Sequence, residues 1–383
     1  MNERKIVNLG VVLVAIVLIL VVNVFADIAK VDGNFSKMET KEIESLSSAE
    51  SESKINNLPD GKICSYGTFL TQVVPSPDTK SCEKSISGSF EYGLSFTKNI
   101  SPDVKVCACI GGNSGCGLNG KSYLCDNSDI EMSALTGQLQ ILEFLYECSF
   151  LEKRLSFSVG KLNPYKYFDC NSVAGDSSKQ FLSSMFNSNA VISLPLYNLG
   201  VKIIYSPSPK INFLCGCFNG NRKWNALDAN TFNIVEADLK MNETGNYRCM
   251  CWGDIIKGMY GLGLSFDQSV CKNIVLFMRC AYQNRGLENN VSSNSWSFGT
   301  QIHGDLWHRK QDNMGAAVGQ IFPLDKTEAE VYYNFQVTKT VAVSPIMQYI
   351  VNPDCENVSS DIDDALTDEN SIFVFTLRTK ISL

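Results

Sequence analysis

Residues 328–351 carry a two-residue alternation, repeated across a turn. Ala329, Val331, Tyr333, Phe335 and Val337 share one face of an extended chain, and Glu328, Glu330, Tyr332, Asn334, Gln336 and Thr338 share the other. After a turn at residues 338–340, Val341, Val343, Pro345, Met347 and Tyr349 resume the apolar side. Strand side chains alternate with period two, so a pattern held for about ten residues demands oil on one side and water on the other. That length exceeds most soluble strands and suits a tilted span of a bilayer.

The pattern recurs from Ile86 onward. Phe90, Tyr92, Leu94 and Phe96 alternate with small and polar residues, as do Leu155, Phe157 and Val159, then Val201, Ile203 and Tyr205. Tyr260, Leu262, Leu264 and Phe266 are answered by Ile274, Leu276, Met278, Cys280 and Tyr282. The last segment places Phe373, Phe375, Leu377, Thr379, Ile381 and Leu383 opposite Arg378 and Lys380. We count roughly fifteen such segments, the pattern of a transmembrane β-barrel. Soluble sandwiches also alternate, so a secreted β-rich carbohydrate-binding protein stays open as an alternative.

Arg4 and Lys5 precede an apolar run from Leu9 to Val22, and Val24, Phe25 and Ala26 offer a cleavage site, so residues 1–26 read as a signal peptide. The run is about 14 residues, short of the ~20 that a spanning helix needs. Residues 27–62 are dominated by Ser, Glu, Lys and Asn and read as a polar flexible segment, leaving 63–383 for the barrel. The formal charge is −7, a poor fit to nucleic-acid binding. No nucleophile elbow or phosphate loop is present, and the chain does not read as an enzyme. With two histidines and no C-x-x-C spacing, no metal or other cofactor is expected.

The wet faces carry Lys202, Arg248, Arg279, Gln301, His303, Glu330, Tyr332, Asn334, Gln348, Arg378 and Lys380. Charged groups turned inward need water, which argues for a hydrated lumen, and this mix of amides, charges and aromatic rings suits sugars. Asn163 to Asn198 is too long for an ordinary connection and is either functional or disordered.

The segments GKLNPYKYFDCNSVAGDSSKQF, FMRCAYQ, SFGTQIHGDLWHRKQDNMGAAVGQIF, EAEVYYNFQ and SPIMQYIVNP resemble, in order over about residues 130–383, the carbohydrate-selective porins of the OprB type. The resemblance implies an outer-membrane antiparallel barrel of about sixteen strands in a bacterial outer membrane, passing sugars by passive diffusion. It also implies that the 163–198 interval folds into the lumen as a constriction, with Tyr165, Tyr167 and Phe168 available to anchor it. The pore-lining or solute-binding set expected on this basis is Arg279, Arg309, Glu330, Tyr332, Asn334 and Gln348 on the wall and Asp169, Asn171 and Gln180 in the loop. Strand parity puts Trp307 inside, with Arg309 ending that strand within reach of Asp312. Lys161 falls on the apolar parity of its strand, which suggests a bulge or an interfacial position. The expected partners are sugars in transit and outer-membrane lipid, with a homo-oligomer or disulfide-linked envelope neighbours left open.

Fifteen cysteines accompany this pattern. Cys215, Cys217, Cys249, Cys251 and Cys280 fall on apolar faces, where each acts as a small hydrophobe. Cys64, Cys82, Cys116, Cys125 and Cys355 read as loop or tail residues and as the better disulfide candidates. A cysteine-crosslinked structural envelope protein is therefore a further alternative.

Overall fold

The computed structural model describes residues 61–75, 85–115, 139–220, 230–241, 244–254, 256–284, 293–351 and 371–383. The segments read as signal peptide and as most of the polar linker lie outside these residues. Sixteen antiparallel strands close into one barrel. They begin with β1 (Gly61–Val74), β2 (Ser85–Ser101), β3 (Val104–Ser114), β4 (Gln140–Phe150) and β5 (Leu155–Leu162). Next come β6 (Asn198–Ser208), β7 (Ile211–Asn219), β8 (Thr231–Met241), β9 (Gly245–Asp254), β10 (Met259–Cys271) and β11 (Ile274–Gln283). The wall ends with β12 (Ser293–His303), β13 (Asn313–Phe322), β14 (Lys326–Gln336), β15 (Val341–Val351) and β16 (Ser371–Ser382).

Each strand pairs with its sequence neighbours, and β16 returns to β1. Tyr66 lies opposite Ser382 and Val73 opposite Phe375. The seam extends to the last residue, because Leu383 and Ser65 exchange backbone hydrogen bonds of 2.8 and 2.9 Å. Closure leaves no strand edge unpaired, the condition a sheet must meet in hydrocarbon.

The two ends of the barrel differ in their connections. Residues 151–154, 209–210, 272–273 and 337–340 make short links at the end of the barrel where both β1 begins and β16 stops. The opposite end carries the longest link, residues 163–197 between β5 and β6.

The alternation assigns the faces. Phe69, Leu262, Phe298, Val331, Met347 and Phe375 are exposed outward, while their sequence neighbours are buried inside. A soluble monomer rarely exposes so continuous an apolar belt. In β14 and β15 every face predicted for residues 328–351 is the observed one. Pro345 points outward and lacks an N–H, and the β14–β15 ladder skips that level; Ser344 Oγ donates to Asn334 Oδ1 there at 2.9 Å.

Two predicted positions depart from a plain alternating strand. In β5 Gly160 has φ +143°, and a Cβ there would lie 2.1 Å from the Phe144 carbonyl oxygen, so only glycine fits. The following Lys161 keeps the outer parity, opposite Phe144 and Leu199, yet is buried among its neighbours, with Nζ donating to the Ile141 carbonyl at 2.5 Å. The second departure follows His303, where the chain leaves β12 for a 3₁₀ turn over Gly304–Trp307 and His308 adopts φ 62°.

Cys215 and Cys249 are exposed on the outer face, and Cys217, Cys251 and Cys280 are half-buried on the same side. Cys64 is a correction to the tail assignment: β1 starts at Gly61, so Cys64 sits inside a strand opposite Ser95. Cys82, Cys116, Cys125 and Cys355 lie outside the described residues. All eleven described cysteines are free thiols. Thiol titration of the denatured, unreduced protein is therefore expected to count at least eleven of the fifteen. A lower count would place a disulfide within the wall or the lumen loop.

Candidate pore and constriction loop

Residues 163–197 fold into the barrel and build an apolar core inside it. Phe168, Ala174, Phe181, Leu182, Phe186 and Val191 from the loop pack with Leu214, Phe218, Trp252, Phe277 and Tyr332 of the wall. Phe168 meets Phe218 edge-on at 6.1 Å, and Phe181 meets Tyr332 edge-on at 4.9 Å. Small wall residues make room: a Cβ on Gly315 would lie 2.8 Å from Phe181 Cζ. Burying a Phe stabilises by roughly 3 kcal/mol or less, so several such rings oppose the ordering entropy of a long loop.

Polar anchors then fix the loop at points spread around the wall. Arg279 of β11, 1% exposed, spans two stretches of the loop. Its Nε donates to Asp169 Oδ1 at 3.2 Å and its Nη2 to the Asp169 carbonyl at 2.9 Å. Its Nη1 donates to the Ala174 carbonyl at 2.7 Å and to the Phe186 carbonyl. Asp169 also accepts from the Asn189 backbone N–H and from Asn189 Nδ2 at 2.9 Å. On β14, the Glu330 carboxylate accepts the N–H groups of Leu182 and Ser183 at 2.6 and 2.9 Å. Ser183 caps the one-turn helix Ser184–Asn187 through its own Oγ, so Glu330 holds that helix by its N-terminus.

The other predicted site residues belong mostly to the same set of contacts. Tyr332 is 1% exposed and donates to Gln301 Oε1 at 2.9 Å. Gln348 Nε2 donates to Glu328 at 3.3 Å and to Glu330 at 3.2 Å. Asn171 Nδ2 donates to Ser265 Oγ at 3.3 Å and to the Phe266 carbonyl at 3.1 Å, joining the loop to β10. Gln180 closes the loop on itself, accepting from Gly175 and Asp176 N–H and donating to the Ser172 carbonyl at 2.8 Å. Asn334 is buried beneath Ser344.

Arg309 is elsewhere, and its lumen placement is corrected. Because β12 ends at His303, Arg309 lies in the following turn, pairs with Asp312 at 2.5 Å and covers the ring of outward-facing Phe335 at 4.0 Å. Trp307 is on the same rim, donating to the Tyr333 hydroxyl at 2.9 Å. Burial alone would raise the Asp312 carboxyl, but the Arg309 guanidinium, the Tyr333 hydroxyl and the Gln336 amide hold it below the usual range.

Of the remaining anchors, the sequence marked Tyr167 in the loop but none of the pairs. Lys202 Nζ sits 3.4 Å above the Tyr167 ring, Glu143 pairs with Lys166, and Glu236 accepts the Asp169 N–H at 2.7 Å. Arg378 Nη1 donates to the Ser177 carbonyl and, at 2.7 Å, to that of Gln180. Arg378 and Lys202 were visible as inward cations, but their loop partners are more than thirty residues away and carry no local pattern. Elsewhere the wall is polar and less covered: along β1–β4, Tyr66, Glu91, Ser95, Thr97 and Lys105 turn inward and are half-buried. Lys105 pairs there with Glu147 at 2.9 Å.

A closed sixteen-stranded barrel with an apolar outer belt and a loop folded into its lumen has the architecture of the outer-membrane porins. Residues 253–383 match the sequence family described as carbohydrate-selective porin, OprB family. The high-pH structure of Pseudomonas putida OprB superposes with a TM-score of 0.69 at 14% identity, over 85% of this chain and 94% of that one. The low-pH structure of the same protein gives 0.55 at 16% identity, over 85% and 93% of the two chains. A Rhodopseudomonas blastica porin mutant gives 0.56 at 13% identity, over 84% of this chain and all of its own. No curated protein matches the chain.

Proposed function

We propose that this protein is a sugar-permeable porin of a bacterial outer membrane, with residues 163–197 as a fixed constriction rather than a mobile lid. The observation that carries the reading is the inward loop, secured to β4, β8, β10, β11, β14 and β16 by buried charged and amide groups. In this reading Arg279, Glu330, Tyr332, Gln348, Asp169, Asn171 and Gln180 set the width of the passage, and Asn334 stiffens the wall beside it. Solute contact falls to the half-buried inner face of β1–β4, where hydroxyls, Tyr66 and the Lys105–Glu147 pair offer donors and acceptors to a polyhydroxylated solute. The outer belt faces lipid and, where copies meet, a neighbouring barrel. Diffusion through such a lumen needs no catalytic group.

Purified protein in liposomes is expected to support isosmotic swelling in hexoses faster than in neutral polyols of similar mass. Swelling set by solute mass alone would make it a general porin, and absence of swelling would remove the channel reading.

A further inference from the structure

At the short-turn mouth the barrel holds a half-open cavity of about 440 Å³, a volume within the ~300–1,000 Å³ range of small-ligand sites. Three ammonium groups line it from three elements: Lys179 from the lumen loop, Lys339 from the turn between β14 and β15, and Lys380 from β16. Gln311, Thr340 and Ser382 supply amide and hydroxyl groups, and no carboxylate side chain is among the described lining residues. Asp176 approaches Lys380 at 3.9 Å from the loop side, which leaves the group of four charges with a surplus of two positive.

The loop stretch that presents Lys179 is built into place. Arg378 holds the carbonyls on either side of it, at Ser177 and Gln180, and Lys380 Nζ donates to Ser178 Oγ. Around the same mouth, among the described residues, Lys98, Lys153, Arg154, Lys210, Lys272 and Lys310 are exposed, against exposed Asp103 and Glu152 and half-buried Asp305. This basic rim belongs to a chain whose overall charge is −7, so the asymmetry is local and directs anions toward one end of the barrel.

We propose that this cavity binds a sugar bearing a carboxylate or a phosphate, with the anionic group between Lys179, Lys339 and Lys380 and the hydroxyls against Gln311, Thr340 and Ser382. The assignment rests on the porin reading for its sugar, and on the cavity alone for its charge. Ammonium groups bind such anions through charge-assisted hydrogen bonds, stronger than those available to a neutral sugar.

Equilibrium binding to the detergent-solubilised full chain tests the site independently of transport, using labelled gluconate, glucose 6-phosphate, inorganic phosphate and glucose. The expected result is saturable binding of at least one anionic sugar, tighter than glucose, weakened at least tenfold in K179Q/K339Q while heat-modifiable mobility is retained. The rim variant K210Q/K272Q keeps the wild-type affinity. Gluconate binding with none of the phosphate ester identifies a carboxylate site, and the reverse a phosphate site. Inorganic phosphate binding as tightly as either sugar would overturn the sugar assignment. Loss of affinity in the rim variant equal to that in K179Q/K339Q, or no anion binding at all, would overturn the site. Binding without liposome swelling would leave the site standing and remove the porin reading instead.

Discussion

Replacing Arg279 with alanine is expected to raise conductance and sugar flux rather than lower them. Arg279 and Asp169 are each 1% exposed in their side chains, and one guanidinium bridges loop positions 169, 174, 186 and 187. Removing one partner of a buried ion pair costs about 3–5 kcal/mol, largely because the other charge is left uncompensated. Asp169 would keep its two donors from Asn189, but the Ala174, Phe186 and Asn187 carbonyls would lose theirs. The strain falls on the loop, since each residue of β11 from Ile274 to Gln283 is paired with both β10 and β12. Single-channel recordings should show a larger and noisier conductance, and limited proteolysis should cut within residues 163–197. Arg279→Lys should behave almost like alanine, because a single ammonium cannot reach carbonyls on both stretches at once. A conductance unchanged from wild type, with the loop still resistant to protease, would show that the constriction does not depend on this anchor.

Much of the barrel was legible because period-two patterning survives wherever a strand has no bulge. β14, β15 and β16 read correctly residue by residue, with Glu330, Tyr332, Asn334, Gln348 and Arg378 inside as expected. Arg309 failed for a reason that parity itself explains. The chain stops being a strand at His303, and a 3₁₀ turn plus one left-handed residue carries the next side chains to the rim, where Arg309 meets an outward Phe335. Nothing in the spacing of Trp307 and Arg309 announces that turn, although Gly304 preceding Asp305 is compatible with one.

The lumen contacts were legible as residue types and not as pairs. An inward arginine, an inward glutamate and a long polar interval containing aromatics were all visible. That Arg279 would reach a residue 110 positions away, and Glu330 one 148 positions away, depends on how the loop crosses the lumen. The sequence reading consequently assigned these groups to solute. In the fold the hydrogen-bonding capacity of Arg279 and Glu330 is taken up by loop backbone.

Glu330 gives the second large effect, and its combination with Arg279 separates an anchored loop from two unrelated contacts. The Glu330 side chain is fully buried and accepts two consecutive backbone N–H groups, those of Leu182 and Ser183. Alanine at this position leaves both amides without an acceptor, at about 1–3 kcal/mol for each. Glutamine retains one oxygen but turns an NH₂ toward the other amide, so Glu330→Gln should lie between wild type and alanine. Both alanine variants release the same loop, Arg279 near residues 169 and 186 and Glu330 at the start of the intervening one-turn helix. Once either anchor is lost and the loop has moved, the other bonds to backbone that has already shifted. The stability loss of R279A/E330A, read from the heat-dependent shift in gel mobility, should therefore be smaller than the sum of the single losses. Independent sites add to within ~0.3–0.5 kcal/mol, so additivity at that level would mean that the two residues stabilise the wall separately and that the loop is not a single mechanical unit.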